Sequence, residues 1–149
     1  MKLSRESAYG IEGLLVLAAN SAGRVMLLSD IAASRGVSQS FLAKIFQKLS
    51  RHGIVRSFRG SIRGYALALP PKEIKLKEIL AAIEGPEIFE RCIFWSDGCS
   101  DINPCPLHNR WKKIRQEFIE GLMERTTLAD LMESPLQESR WSPAALIKA

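Results

Sequence analysis

At 149 residues, with 46% hydrophobic and 25% charged side chains, the chain suits one globular domain, or a small domain with an appendage. No apolar run is long enough to cross a bilayer, and three cysteines are an odd count, unlike the even disulfide framework of a small secreted domain. A reducing cytoplasm is therefore expected, and a net charge of +5 with a pI near 9.3 points to a polyanionic partner.

Ser4 is placed to cap a first helix running to about Ala19. Within it, Ile11, Leu14, Leu15 and Ala18 repeat at i, i+3, i+4, i+7, the pattern of an amphipathic core helix. Lys2, Arg5 and the run 13–19 imitate a signal peptide, but Glu6 and Glu12 fall where such a segment is basic or apolar. Arg24 to Leu28 reads as a short strand. Ser29 is placed to cap a helix over 30–35 that Gly36 ends. Ser38 is placed to cap the next, with Leu42, Ile45, Phe46 and Leu49 on one face and Gly53 at its end. Two short helices joined by a tight glycine-containing turn form a helix-turn-helix. The β-prone runs 54–58 and 65–69 flank Arg59-Gly-Ser-Ile-Arg-Gly64, which reads as a hairpin and hence a wing.

Pro70-Pro71 breaks the chain, and a helix over 75–84 follows, with Leu76, Ile79, Leu80 and Ile83 in phase, stopped by Gly85-Pro86. After a cysteine-bearing loop, the pattern predicts a long helix from about Leu107 to Arg125, with Trp111, Ile114, Phe118 and Leu122 on one stripe. Thr127 is placed to cap a last turn over 128–132, and the polar tail 134–149 is expected to be poorly ordered. The organisation read from this is a DNA-binding unit over 1–71, a linking helix over 72–89, a loop over 90–108, a helix over 109–133 and the tail.

The charge is concentrated. From Arg24 to Arg63 there are eight lysines and arginines, and Asp30 is the only acid. Such a surface attracts phosphates and releases their counterions. The third helix offers Ser38, Gln39 and Ser40 near its start, where a recognition helix meets base edges. Lys44, Gln47, Lys48 and Arg51 lie further along, and its lysines and arginine are expected to meet phosphates. Arg59 and Arg63 flank the wing turn and suit a minor groove.

All three cysteines fall in one stretch, Cys92-x6-Cys99-x5-Cys105-x2-His108. Soft thiolates with one imidazole suit an iron–sulfur cluster or zinc. The paired C-x2-C of a zinc ribbon is missing, which favours an unusual cluster site over zinc; free thiols or a reversible disulfide are the other readings. For a fourth ligand, His108 competes with Asp97, Asp101, Glu90 and a partner subunit's Glu6. An enzyme using a thiolate nucleophile is disfavoured, because His52 is the only histidine outside the loop.

The start Met1-Lys-Leu-Ser-Arg-Glu-Ser-Ala-Tyr-Gly-Ile11, then Leu28-Ser-Asp-Ile-Ala32, Ser40-Phe-Leu-Ala-Lys-Ile-Phe-Gln-Lys-Leu49, Val55-Arg-Ser-Phe-Arg-Gly60, Gly64-Tyr65 and Ile83-Glu-Gly-Pro86 together resemble the Rrf-two family of bacterial winged-helix regulators over about residues 1–133. The resemblance implies a mainly α fold with a small β-wing, a winged helix-turn-helix plus a long C-terminal dimerisation helix. It also implies a homodimer on a double-stranded DNA operator, most often as a repressor, with no membrane role and no small-molecule substrate. In cluster-binding members three cysteines sit here, which implies Cys92, Cys99 and Cys105 as ligands. In the IscR type a histidine maps onto His108 and the cluster is 2Fe–2S. The NsrR type carries a 4Fe–4S cluster and an N-terminal carboxylate near the position of Ala8. Two departures stand out: the first gap has six residues where five is usual, and Arg63-Gly64 replaces the usual Gly-Gly before the wing tyrosine.

Overall fold

A computed structural model describes residues 3–20, 23–95 and 100–133. The expectations for Asp97, Cys99 and the 134–149 tail lie outside these residues. Helices α1 (Arg5–Ala19), α2 (Leu28–Arg35) and α3 (Gln39–Arg51) are followed by strands β1 (Val55–Phe58) and β2 (Gly64–Leu67). Then come α4 (Leu76–Glu84), α5 (His108–Phe118) and α6 (Leu128–Met132). The fold is mainly helical with a two-stranded antiparallel sheet among the described residues, as the sequence predicts.

Helix α1 is the central pillar. Leu14 is fully buried and Leu15, Val16 and Leu17 nearly so, and they join Ile31, Leu42, Ile45, Phe46, Leu49, Ile79 and Leu128 in one core. Burying such a side chain stabilises the fold by roughly 1.5–3 kcal/mol. Two glycines let α1 approach its neighbours closely. A Cβ on Gly10 would meet Ile83 of α4, and one on Gly13 would lie 2.8 Å from the Phe46 ring of α3. A buried ion pair ties the pillar to the helix-turn-helix: Arg35 Nε donates to Glu12 Oε2 at 2.7 Å.

Helix α2 starts two residues earlier than expected. Its N-cap is Leu27, so Ser29 lies in the first turn and does not cap it. Gly36 ends it in the left-handed conformation, as expected. At α3 the Ser38 hydroxyl does cap, accepting from the Phe41 amide at 3.3 Å. Ser4 makes no cap; its hydroxyl and amide donate to Glu84 instead.

In the hairpin, Val55 pairs with Leu67 and Phe58 with Gly64. The expected strand over Arg24–Leu28 reduces to one bridging residue. Met26 exchanges both backbone hydrogen bonds with Tyr65, at 2.9 and 2.8 Å, and so ties the wing to the chain before α2. The Tyr65 ring meets Phe46 edge-on, with centroids 5.1 Å apart.

Beyond the wing, Leu76, Leu80, Ile88, Phe89 and Met123 form a second, smaller core. The chain returns to the body through a short pairing, in which Leu76 donates to Thr126 and Leu128 to Ile74. Thr127 caps α6 with a full capping box. The long helix expected over 107–125 is interrupted: α5 ends at Phe118, and Ile119–Met123 form one wider π-helical turn.

Candidate nucleic-acid interface and cysteine loop

Helix α3 divides by exposure. Leu42, Ile45, Phe46 and Leu49 are fully buried, while Ser38, Gln39, Ser40, Lys44, Gln47 and Arg51 stand exposed. The buried face fixes the helix against α1 and leaves the other face to solvent. Gln39, Gln47 and Arg51 line one open cleft of about 1140 Å³ together with Arg59 and Arg63 of the wing. Ser29 and Leu28, in the first turn of α2, line the same cleft. A helix start carries amides without intrahelical acceptors, and these suit a phosphate. Sequence reasoning gave Ser29 to a cap and so did not place it on this cleft.

Lys48 departs from the phosphate-facing role expected of it. It turns inward, donating from Nζ to Glu6 Oε2 at 2.5 Å and to the Ile83 carbonyl at 3.0 Å. The Glu6 carboxylate is thus held within its own chain. Beside it, burial pushes the Glu84 carboxyl up, but hydrogen bonds from Ser4 and Ser7 and the charge of Lys48 outweigh that. Glu84 titrates below its ordinary range.

The second region is the segment between α4 and α5. Gly85 turns the chain at φ 91°, and a 3₁₀ turn over Pro86–Phe89 buries Ile88 and Phe89. Cys92 follows, half-buried, with its Sγ accepting from the Phe94 amide at 3.4 Å. Cys105 is half-buried too, and its carbonyl accepts from the His108 amide at 2.9 Å. His108 neither faces water nor caps a helix. It is 5% exposed, and its Nε2 lies 2.8 Å from Asp101 Oδ1. Lys112 grips both oxygens of the same carboxylate at 2.9 and 3.0 Å. The hydrogen bond from Lys112, then that from His108, hold the Asp101 carboxyl below its ordinary range.

One face of α5 is therefore laid on the loop. His108 and Lys112 meet Asp101, Trp111 meets the Phe94 ring edge-on at 6.3 Å, and Arg115 donates to the Glu90 carbonyl at 2.8 Å. These positions fall at i, i+3, i+4 and i+7, as one helical face requires. The predicted apolar stripe is thus divided. Trp111 packs on the loop and Phe118 against the smaller core, while Ile114 and Leu122 remain 57% and 45% exposed. Ile93, Phe94, Trp95 and Ile102 of the loop are exposed as well.

Among the described residues no three potential metal ligands converge, and Cys99 lies outside them. Those present have the chemistry a metal centre needs: two half-buried thiols on one loop, and a buried imidazole whose Nε2 lies 2.8 Å from Asp101 Oδ1. One further feature fits. The Trp111 indole Nε1 is buried without a hydrogen-bond partner among the described residues. A hydrogen-bond donor left over beside a thiol-bearing loop is what an absent acceptor leaves behind.

A helix-turn-helix with a basic wing defines a winged-helix DNA-binding protein, and among the described residues no helix is long and apolar enough to cross a membrane. Comparison with known proteins places it further. Residues 3–134 match the family model Rrf2, described as iron-dependent transcriptional regulator, and the chain belongs to that family. It is 30% identical over 134 residues to the transcriptional regulator IscR of Serratia proteamaculans, covering 90% of this chain and 80% of that one. CymR, the global cysteine regulator of B. subtilis, superposes with a TM-score of 0.72 at 27% identity, over 88% of this chain and 95% of that one. T. potens IscR superposes with a TM-score of 0.69 at 26% identity, over 89% of this chain and 87% of that one. The chain is a transcriptional regulator of this family.

Proposed function

We propose that the chain acts as a homodimeric, iron–sulfur-sensing repressor. The observation that carries this reading is the clamp of one α5 face onto the cysteine loop, through His108, Trp111, Lys112 and Arg115. A change in the loop then moves α5, and α5 carries the exposed Ile114 that suits a partner copy, with Leu122 on the turn beyond it. Cys92, Cys99, Cys105 and His108 would hold the cluster. When bound, a cluster of the IscR type, 2Fe–2S, supplies iron redox chemistry and a charge that changes with its state.

The chain's own residues do the rest. Ser38, Gln39 and Ser40 meet base edges in the major groove, Gln47 extends that contact, and Lys44 and Arg51 meet phosphates. Arg59 and Arg63 enter the minor groove from the wing. Lys48 takes no part in DNA contact and braces α3 from within. Because half-sites are read at fixed spacing, a small rotation of one protomer on the other changes operator affinity. A coupling of about 1–3 kcal/mol between loop state and DNA suffices for a switch.

The test is anaerobic purification followed by a visible spectrum with iron, sulfide and zinc analysis. The reading expects a coloured, sulfide-containing protein. It also expects Cys99→Ala to lose the absorbance and shift operator affinity by about 5- to 150-fold. A colourless protein with stoichiometric zinc, or colour lost with affinity unchanged, would refute it. Light scattering checks the dimer: Ile114→Asp is expected to yield a protomer-sized particle.

A further inference from the structure

The tip of the wing carries an isoleucine that the fold does not use. Between Phe58 and Gly64, the last pair of the hairpin, the chain turns through Arg59-Gly-Ser-Ile-Arg63, and all five residues are exposed. Glycine and serine suit such a turn; a β-branched apolar side chain does not. Ile62 is nonetheless 64% exposed and joins neither hydrophobic core. Arg59 and Arg63 stand on either side of it in the chain, and neither makes an ion pair among the described residues. An apolar tip between two guanidinium groups fits a polyanion with apolar spaces inside it, and stacked base pairs provide those spaces.

The tip is also stiffly mounted. Tyr65 of β2 exchanges backbone hydrogen bonds with Met26 at 2.9 and 2.8 Å. Its ring meets Phe46 edge-on, and Phe46 is fully buried on α3. The wing is therefore joined through its own strand to the core of the recognition helix. Arg59 and Arg63 wall one cleft with Gln39, Gln47 and Arg51 of α3, so α3 seated in a major groove carries the tip toward the neighbouring minor groove. Parting stacked bases costs energy, and a rigidly backed side chain can bear that load.

We infer that Ile62 is a wedge: it enters between two base pairs from the minor groove, unstacks them and kinks the operator. This rests on the reading above that the wing enters the minor groove. Arg59 and Arg63 hold the phosphate-lined walls while the isoleucine inserts. The step it parts is of the pyrimidine–purine kind, TA or CA/TG, because those unstack most readily. Ile62 thus adds sequence preference at a step where no hydrogen bond reads a base.

The experiment uses the full chain, purified anaerobically, and a duplex that it selects from a randomised library. The fluorescent base aminopurine replaces each adenine of that duplex in turn, and dyes at its two ends report bending by energy transfer. Wild-type protein is expected to raise aminopurine fluorescence at one pyrimidine–purine step in each half-site and to draw the ends together. Ile62→Ala is expected to lose both signals with its salt dependence unchanged, because no phosphate contact is lost. Ile62→Met, which keeps an apolar tip, is expected to restore them. Replacing the parted step by a stiff AA step is expected to weaken wild-type binding roughly 5- to 150-fold and to leave Ile62→Ala unaffected. Equal fluorescence and bending in wild type and Ile62→Ala would overturn the wedge, as would signals that Ile62→Met fails to restore. Arg59→Ala separates the two readings. Weaker binding with a salt slope flatter by about one keeps the wing in the groove even where the wedge fails. Unchanged affinity and slope would remove the wing from the groove, and this inference with it. A library that yields no duplex would refute DNA recognition itself and the wedge together.

Discussion

Gly64→Ala tests whether the wing is held by its tie to the segment before α2. Gly64 has φ 140°, and a Cβ there would lie 2.1 Å from the Met26 carbonyl oxygen. A comfortable C···O contact is about 3.3 Å, so the two backbones must separate by more than an ångström. That breaks both Met26–Tyr65 hydrogen bonds, now 2.9 and 2.8 Å. Each is worth about 1 kcal/mol, and the left-handed backbone adds about 1–3 kcal/mol for a residue with a side chain. The expected loss is therefore about 3–5 kcal/mol, a large share of the roughly 5–15 kcal/mol that holds a domain together. Urea unfolding followed by far-ultraviolet circular dichroism reads it directly. Operator binding, measured by fluorescence anisotropy at matched salt, is expected to weaken in parallel, because Arg59 and Arg63 ride on the same hairpin. A loss below about 1 kcal/mol would refute the argument, since two backbone hydrogen bonds could not then have been broken.

Arg35→Met removes the cation from an ion pair whose carboxylate side is 1% exposed, and a cost of about 3–5 kcal/mol is expected in the same urea assay. The double replacement Glu12→Leu with Arg35→Met is expected to recover most of it, and a double variant no better than the single would refute the desolvation account. Glu84 titrates below its ordinary range in the folded chain, so its contribution is full at neutral pH and is lost as pH falls through that lowered value. The stability gap between wild type and Glu84→Gln should therefore close on acidification, and a gap constant down to acid pH would count against the Ser4–Ser7–Glu84 network. Arg59→Ala is expected to weaken operator binding by about 1–3 kcal/mol and to flatten the salt dependence by about one phosphate contact; equal affinity at matched salt would remove the wing from the interface.

Much of the fold was legible because it rests on local signals. The apolar face of α3, the Ser38 cap, the left-handed Gly36 and the Thr127 cap are each decided within a turn or two of chain. The misplaced features depend on residues far apart in sequence. Ser4 could cap its own helix, but Glu84, 80 residues away, offers a better acceptor. Lys48 belongs to a basic series, yet α1 and α4 place Glu6 and the Ile83 carbonyl within its reach. The apolar stripe of α5 was in phase as far as Phe118, but periodicity cannot tell which members of a stripe face their own loop. Composition alone also gave no sign that Ile119–Met123 would take a wider turn.

The inward turn of Lys48 has a consequence for how opening motions spread. Its ammonium joins the last turn of the recognition helix to the start of α1 and to the end of α4, two residues before the chain turns toward the cysteines. Three helix ends thus share one knot outside the hydrophobic core. Local openings in proteins run through such cooperative units. The closing turns of α3 and α4 should accordingly gain and lose hydrogen-exchange protection together, although no sheet or shared helix connects them.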